Sequence, residues 1–261
     1  MRSKAFFKKR FAVRPGRDSG ADHWIGGENV YEGVECPVCH VGLVVILDIN
    51  CGDPVLQKAS GGKLAQLKRL PLLFCPRCLC ELSYRVDEQS RVHVIQARYS
   101  HPGNELYPNY PDYFPRVPFS LDDSAITASV SKAAEEFFDV EFAHLLSESA
   151  RRILEDFAGH PNFIPRFLYH HQLGGESLHD AWDENAAVCP NEQCPGRVSG
   201  KELRRGRPMR FLAGVINDPP GGLPLIEPLN EETEASWNFF ASFYYQICDR
   251  CLTITTFSTS D

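Results

Sequence analysis

Eight of the ten cysteines in this 261-residue chain fall into four close pairs. Cys36 stands with Cys39, Cys75 with Cys78, Cys189 with Cys194, and Cys248 with Cys251. Two thiolates this close on a tight turn can face one ion, and two such turns complete a tetrahedral sulfur set with Zn–S near about 2.3 Å. Proline follows the first cysteine in three of the turns (Pro37, Pro76 and Pro190) and restricts the chain where the sulfurs converge. One Cys-x-x-Cys is a weak signal, shared with redox motifs, whereas four are a strong one. A thioredoxin-type site needs a single reactive pair of lowered thiol pKa, and four pairs do not fit it. The expectation is two Zn²⁺ per chain, one held by Cys36, Cys39, Cys75 and Cys78, the other by Cys189, Cys194, Cys248 and Cys251. Cys51 and Cys80 are left over and read as small core residues.

This donor set also bears on catalysis. A catalytic zinc keeps one position open for water, and four thiolates close the shell. His40 follows Cys39 directly and reads as a solvated neighbour of the site. His23, His170 and His171 precede glycine pairs and read as structural hydrogen-bonding groups. Glu28 and Glu176 occupy matching places and would act as paired carboxylates only if the fold brought them together. No Gly-x-Ser-x-Gly, His-Glu-x-x-His or phosphate-cradling glycine loop is present. The chain reads as non-enzymatic, with a metal-dependent enzyme as a lesser alternative.

The cysteine turns need elements to carry them, and the chain writes those elements twice. Residues 23–30 read HWIGGENV and residues 171–178 read HQLGGESL. Each phrase is followed by a cysteine pair, an apolar run (Leu43–Ile49, Phe211–Ile216), an Asp-Pro step (Asp53-Pro54, Asp218-Pro219), a second apolar run and a second cysteine pair. Five landmarks in one order predict an internal duplication. Gly26-Gly27 and Gly174-Gly175 are expected to supply the positive φ of a hairpin. The unbroken run Leu43–Ile49 predicts a strand covered on both faces. Strands are also expected to leave the second cysteine turns, at Arg91–Ala97 and Thr253–Ser258.

Between the copies, residues 107–119 are rich in proline and aromatics and form a connector that cannot be helical. Asp122, Asp123 and Ser124 can cap a helix, and apolar residues from Ile126 to Phe157 recur at helical intervals up to Gly159 and Pro161. The expected fold class is α+β, mostly β: two pseudo-symmetric β-rich repeats containing zinc ribbons, with a helical insertion between them. Its expected parts are a basic segment 1–20, a first zinc-binding repeat 21–100, a connector 101–121, a helical segment 122–160 and a second zinc-binding repeat 161–261.

The net charge of −7 is unevenly spread. Residues 1–20 carry seven Lys/Arg against Asp18 alone, leaving the remainder with twenty basic and thirty-three acidic side chains, a net of −13. An acidic body repels phosphate backbones and favours basic protein partners. The patch Arg204, Arg205, Arg207 and Arg210 supports a zinc-ribbon nucleic-acid reading as the second choice. The basic start reads as a frayed end or a first strand with a solvated charged face. No apolar run is long enough to cross a bilayer, and no secretory signal pattern opens the chain. Reduced, paired cysteines fit a cytoplasmic location.

HQLGGES, Trp182, the cysteine pairs, MRFLAGVINDP and the closing aromatic strand with CDRC together resemble the YwqG-like proteins and the related programmed-cell-death-protein-2 group of ribosomal-protein chaperones. The resemblance covers residues 167–258 best and 23–97 less well. It implies two pseudo-symmetric β-rich halves and a role in holding a protein client. That client would be a basic one, either a ribosomal protein to be protected or a toxin to be neutralised by an immunity protein.

Overall fold

The computed structural model describes residues 5–7, 9–16, 20–32, 34–75, 80–98, 114–122, 133, 147–158, 171–175, 187–195, 208–216 and 241–260. The described chain is mostly strand. Its elements are β1 (Arg10–Pro15), β2 (His23–Ile25), β3 (Val44–Asn50), α1 (Pro54–Ser60), β4 (Arg69–Phe74), β5 (Glu81–Val86), β6 (Val92–Arg98), β7 (Val117–Asp122), α2 (Glu148–Ala158), β8 (Gln172–Gly174), β9 (Arg210–Ile216), β10 (Ala241–Ile247) and β11 (Ile254–Ser260). The strands form one curled antiparallel sheet in the order β4-β3-β2-β7-β1-β8-β9-β10-β11-β5-β6.

The order reads the same way from two directions. Inward from β4 it runs β4, β3, β2, β7; inward from β10 it runs β10, β9, β8, β1. Each glycine-pair strand lies beside the strand that follows it in sequence and beside a strand that precedes the other glycine-pair strand. Thus β2 pairs with β7 and β8 pairs with β1, while β1 and β7 pair with each other in the middle. The correspondence extends to an irregularity. The β3–β4 ladder skips Ile46 and the β9–β10 ladder skips Leu212, the third residue of each seven-residue strand.

Both glycine pairs have positive φ: 63° and 97° at Gly26 and Gly27, 70° and 69° at Gly174 and Gly175. Their task differs from the expected hairpin. Each pair marks a place where another segment crosses close to the backbone. A Cβ on Gly26 would lie 2.5 Å from the Pro115 carbonyl oxygen, and one on Gly174 would lie 2.5 Å from Phe7 Cβ. The crossing is hydrogen-bonded alike at both glycine pairs, with Gly27 N–H donating to Phe114 O at 2.8 Å and Gly175 N–H to Phe7 O at 2.9 Å. Phe114 and Phe7 each stand three residues before their strand, and both are buried.

β3 is buried at five of its seven positions, as an unbroken apolar run requires. Asp53-Pro54 opens a short helix. The Asp53 carboxylate accepts from Val55 N–H at 2.7 Å, proline takes the first helical turn, and Gly61 at φ 63° ends it. The basic start contributes β1, a central strand with Phe11 and Val13 in the core. The end of the expected connector is likewise a strand, β7, and it includes Asp122 of the expected helix cap. The strand that first leaves the cysteines near residue 75 is β5, with β6 as its hairpin partner and the edge strand at that end. Of the expected helical segment 122–160, residues 123–146 apart from Ala133, and 159–160, lie outside the described residues, and α2 lies within its C-terminal part.

The curl brings β4 against β5 and β11. Tyr84 Oη donates to the Pro71 carbonyl and accepts from the Leu73 N–H, both at 2.9 Å. Thr256 Oγ1 donates to the Leu73 carbonyl at 3.0 Å. Side-chain hydroxyls from β5 and β11 thereby satisfy backbone groups on the edge of β4 that has no neighbouring strand. Inside the curl the rings of Phe74 and Phe243 meet with centroids 4.4 Å apart.

Candidate metal centres

The cysteines gather at the ends of these strands. In the second half, Cys248 follows β10 and Cys251 precedes β11. The intervening turn closes when Leu252 N–H donates to Cys248 O at 3.0 Å, with Leu252 at φ 56°. Cys248 N–H in turn donates to Thr253 O at 2.8 Å. The turn at Cys36 repeats this geometry: His40 N–H donates to Cys36 O at 2.8 Å with His40 at φ 58°, and Cys36 N–H donates to Val41 O at 2.9 Å. The tight turn also aims backbone N–H groups at sulfur, from Val38 and Cys39 to Cys36 and from Arg250 and Cys251 to Cys248. Such bonds favour a thiolate.

Cys189 and Cys194 lie on a segment tied to the sheet. Ala187 N–H donates to the Gln246 side-chain oxygen at 2.8 Å, and Met209 N–H donates to Ala187 O at 2.7 Å. The result is four sulfurs in one place: the Sγ atoms of Cys189, Cys194, Cys248 and Cys251 all lie within 4.8 Å of one another. Cys189–Cys251 and Cys194–Cys248 are each 3.6 Å apart. A tetrahedron with Zn–S of about 2.3 Å has sulfur–sulfur edges of about 3.8 Å, and a disulfide would require about 2.05 Å. The cluster has the dimensions of a metal site and could hold an ion. Three of its cysteines are buried, and Cys251 is partly so.

The first half gathers a related but different set. Cys36, Cys75 and Cys80 lie mutually within 4.8 Å, with Cys36 and Cys80 sulfurs 3.9 Å apart. Cys39 approaches Cys75 at 3.6 Å. Cys36, Cys75 and Cys80 too could hold an ion. Cys78 lies outside the described residues. Cys80, expected from the sequence to be a small core residue, is buried and belongs to the group. Its neighbours in CPRCLC hid it, because Cys78 and Cys80 are separated by one residue, a spacing that lacks the familiar two-residue turn. Cys51 is buried away from both groups, and burial pushes its thiol up to about 12.

The proton distribution shows what crowding does. A sulfhydryl hydrogen bond from Cys189 holds Cys251 well below the ordinary thiol range, while the partnership with Cys248, reinforced by Cys251 and burial, pushes Cys189 far above it. In the first group Cys36 is lowered by its bond with Cys75, and Cys80 is raised by its bond with Cys36. Buried thiolates cannot accumulate side by side without a compensating cation. A divalent ion could supply it, and its binding would expel the shared protons.

The other sequence candidates have different surroundings. His40 is exposed. His23 is buried; its Nε2 bonds Asp53 Oδ2 at 2.9 Å and its Nδ1 accepts from Asn50 N–H at 3.0 Å. Its ring stacks on Phe119 with centroids 5.1 Å apart, so the histidine before the first glycine pair joins β2 to the capped start of α1. His171 is buried, and His170 lies outside the described residues. Glu28 is exposed, and its counterpart Glu176 lies outside the described residues, as do Arg204, Arg205 and Arg207.

A separate cleft of about 620 Å³ is lined by Asp22, Tyr31, Asp48, Arg69, Arg91 and Arg116 among others. Three of its charges are engaged with one another. Arg69 bridges Asp22 and Asp48 at 2.8 Å each, and Tyr31 Oη donates to Asp48 at 2.6 Å. Among the described residues no helix is long and apolar enough to cross a membrane.

No family model matches the chain, and no curated protein or solved structure matches it either.

Proposed function

We propose that this chain is a non-enzymatic, zinc-stabilised protein-binding protein whose two cysteine clusters each hold one Zn²⁺ and keep a duplicated β scaffold folded. The observation that carries the reading is the second cluster, with four converging sulfurs at 3.6 Å across two pairs and mostly buried. An all-sulfur donor set selects a soft or borderline ion, and zinc suits a closed tetrahedral site. Its chemistry there is charge compensation and cross-linking, since four thiolates leave no position for a substrate or water. Zinc in small domains contributes on the order of 10 kcal/mol of folding free energy.

The duplication is supported by the mirrored strand order, the matching bulges at Ile46 and Leu212 and the equivalent glycine crossings. The halves share one sheet, each lending its leading strand to the other. In this reading the zinc-ribbon turns are appended to that sheet.

The client is a basic protein, held by the acidic body that follows residue 20. The resemblance to YwqG-like and programmed-cell-death-protein-2 proteins supports the same role, with a ribosomal protein or a toxin as client. The test is affinity purification from the native host in low salt, followed by mass spectrometry and nucleic-acid analysis. A single basic protein that is released by about 0.5 M salt, where charges are screened within a few ångströms, is the expected result. Co-purifying RNA without such a protein would transfer the role to nucleic-acid binding, and substrate turnover by zinc-loaded protein would make the chain an enzyme.

A further inference from the structure

We propose that Cys80 is a metal ligand of the first cluster, completing a set with Cys36, Cys39 and Cys75. Three observations meet at this residue. Its sulfur lies within 4.8 Å of both Cys36 and Cys75, at 3.9 Å from the former, which is the edge length of a zinc–sulfur tetrahedron to within about 0.1 Å. It is 1% exposed, so it reaches the cluster from the interior rather than from solvent. It also stands where the second half places Thr253, five residues after the first cysteine of the turn and immediately before the outgoing strand.

That position faces sulfur in both halves. Thr253 Oγ1 lies 3.1 Å from Cys251 Sγ, so the second cluster receives a hydroxyl there and the first receives a thiol. The placement is set by the sheet, since β5 and β11 are paired neighbours, with Tyr84 opposite Ile254 and Leu82 opposite Thr256. A ligand anchored at the start of a strand is better fixed than one on a loop. The first centre therefore takes its strand-anchored ligand from a position where the second half carries a hydroxyl.

This assignment rests on reading the clusters as metal centres, and the test separates the two claims. The full-length, unaltered chain is stripped, loaded with the spin-half cadmium isotope, and examined by cadmium–proton correlation through the cysteine β-protons. Two bound ions are expected, one of them correlated with Cys80. Two bound ions with correlations to Cys78 and none to Cys80 would overturn the assignment while leaving the metal reading intact. No bound ion at all would overturn both. In Cys80→Ser, zinc affinity at one site is expected to fall by more than the roughly 100-fold that loss of an outer-shell partner costs. A smaller fall would make Cys80 a neighbour of the ion instead.

Discussion

Tyr84 bridges two backbone groups of β4 with its phenol, accepting from the Leu73 N–H and donating to the Pro71 carbonyl two residues earlier, each at 2.9 Å. One hydroxyl so placed replaces what a further strand would have supplied to β4, and it holds the sheet in its curl. Tyr84→Phe keeps the ring and removes the bridge, leaving a buried donor and acceptor. The expected loss is about 1–3 kcal/mol, read by denaturant unfolding. Thr256→Val, which removes the donor to Leu73 O, is expected to lose less, because the Tyr84 bridge stays in place.

The glycine crossings supply a second test. Gly26→Ala must carry the left-handed conformation, about 1–2 kcal/mol, and also move the Pro115 carbonyl, 2.5 Å from the new Cβ. Gly61→Ala has a similar φ with nothing within 4 Å and carries the first cost alone. Gly26→Ala and Gly174→Ala should both unfold at lower denaturant than Gly61→Ala. Equal midpoints for the three would show that the crossings are loose.

His23 makes stability depend on pH. Burial lowers its pKa below the ordinary histidine value, outweighing the favourable hydrogen bond and charge of Asp53. A depressed folded pKa means that the native state binds fewer protons than the unfolded state, so this contribution is present above about pH 6.5. It is lost as pH falls from there through the depressed folded value. Stability of the wild-type chain should therefore drop below about pH 6.5 more steeply than that of His23→Gln, measured by denaturation at fixed salt. Parallel profiles would rule out the linkage.

Removing one thiolate from the second cluster should have a large effect. Cys194→Ser breaks the four-sulfur set and is expected to release one metal ion per chain. On the order of 10 kcal/mol is at stake in such sites, comparable to the whole stability of an ordinary domain. Loss of cooperative thermal unfolding in the region of β9, β10 and β11, followed by hydrogen exchange, would register it. A mild shift of a few degrees with protection retained would show that the cluster is a bystander.

Much of this arrangement is legible in the residues, and the illegible parts have identifiable causes. The run Leu43–Ile49 announces β3 because a strand covered on both faces needs no polar alternation. The glycine pairs announce positive φ, yet the crossing segments that demand it, at Phe7 and Phe114, are remote in sequence. β1 and β7 are hidden by Pro15, Pro118 and flanking charge, since proline argues against a central strand. The exchange of β1 and β7 between halves depends on non-local pairing that no local pattern encodes. Cys80 could have been found by laying the two cysteine-rich halves side by side, because Cys80 and Thr253 each stand five residues after a cysteine, immediately before an outgoing strand.

The central claim is that thiolate clusters clamp ions and so keep the sheet folded. The most direct test is elemental analysis of full-length protein, purified reduced and without added metal, with its compactness measured before and after exhaustive EDTA treatment. Two zinc ions per chain, with loss of the folded state on their removal, is the predicted result. A chain that carries no metal and stays folded in EDTA would contradict it.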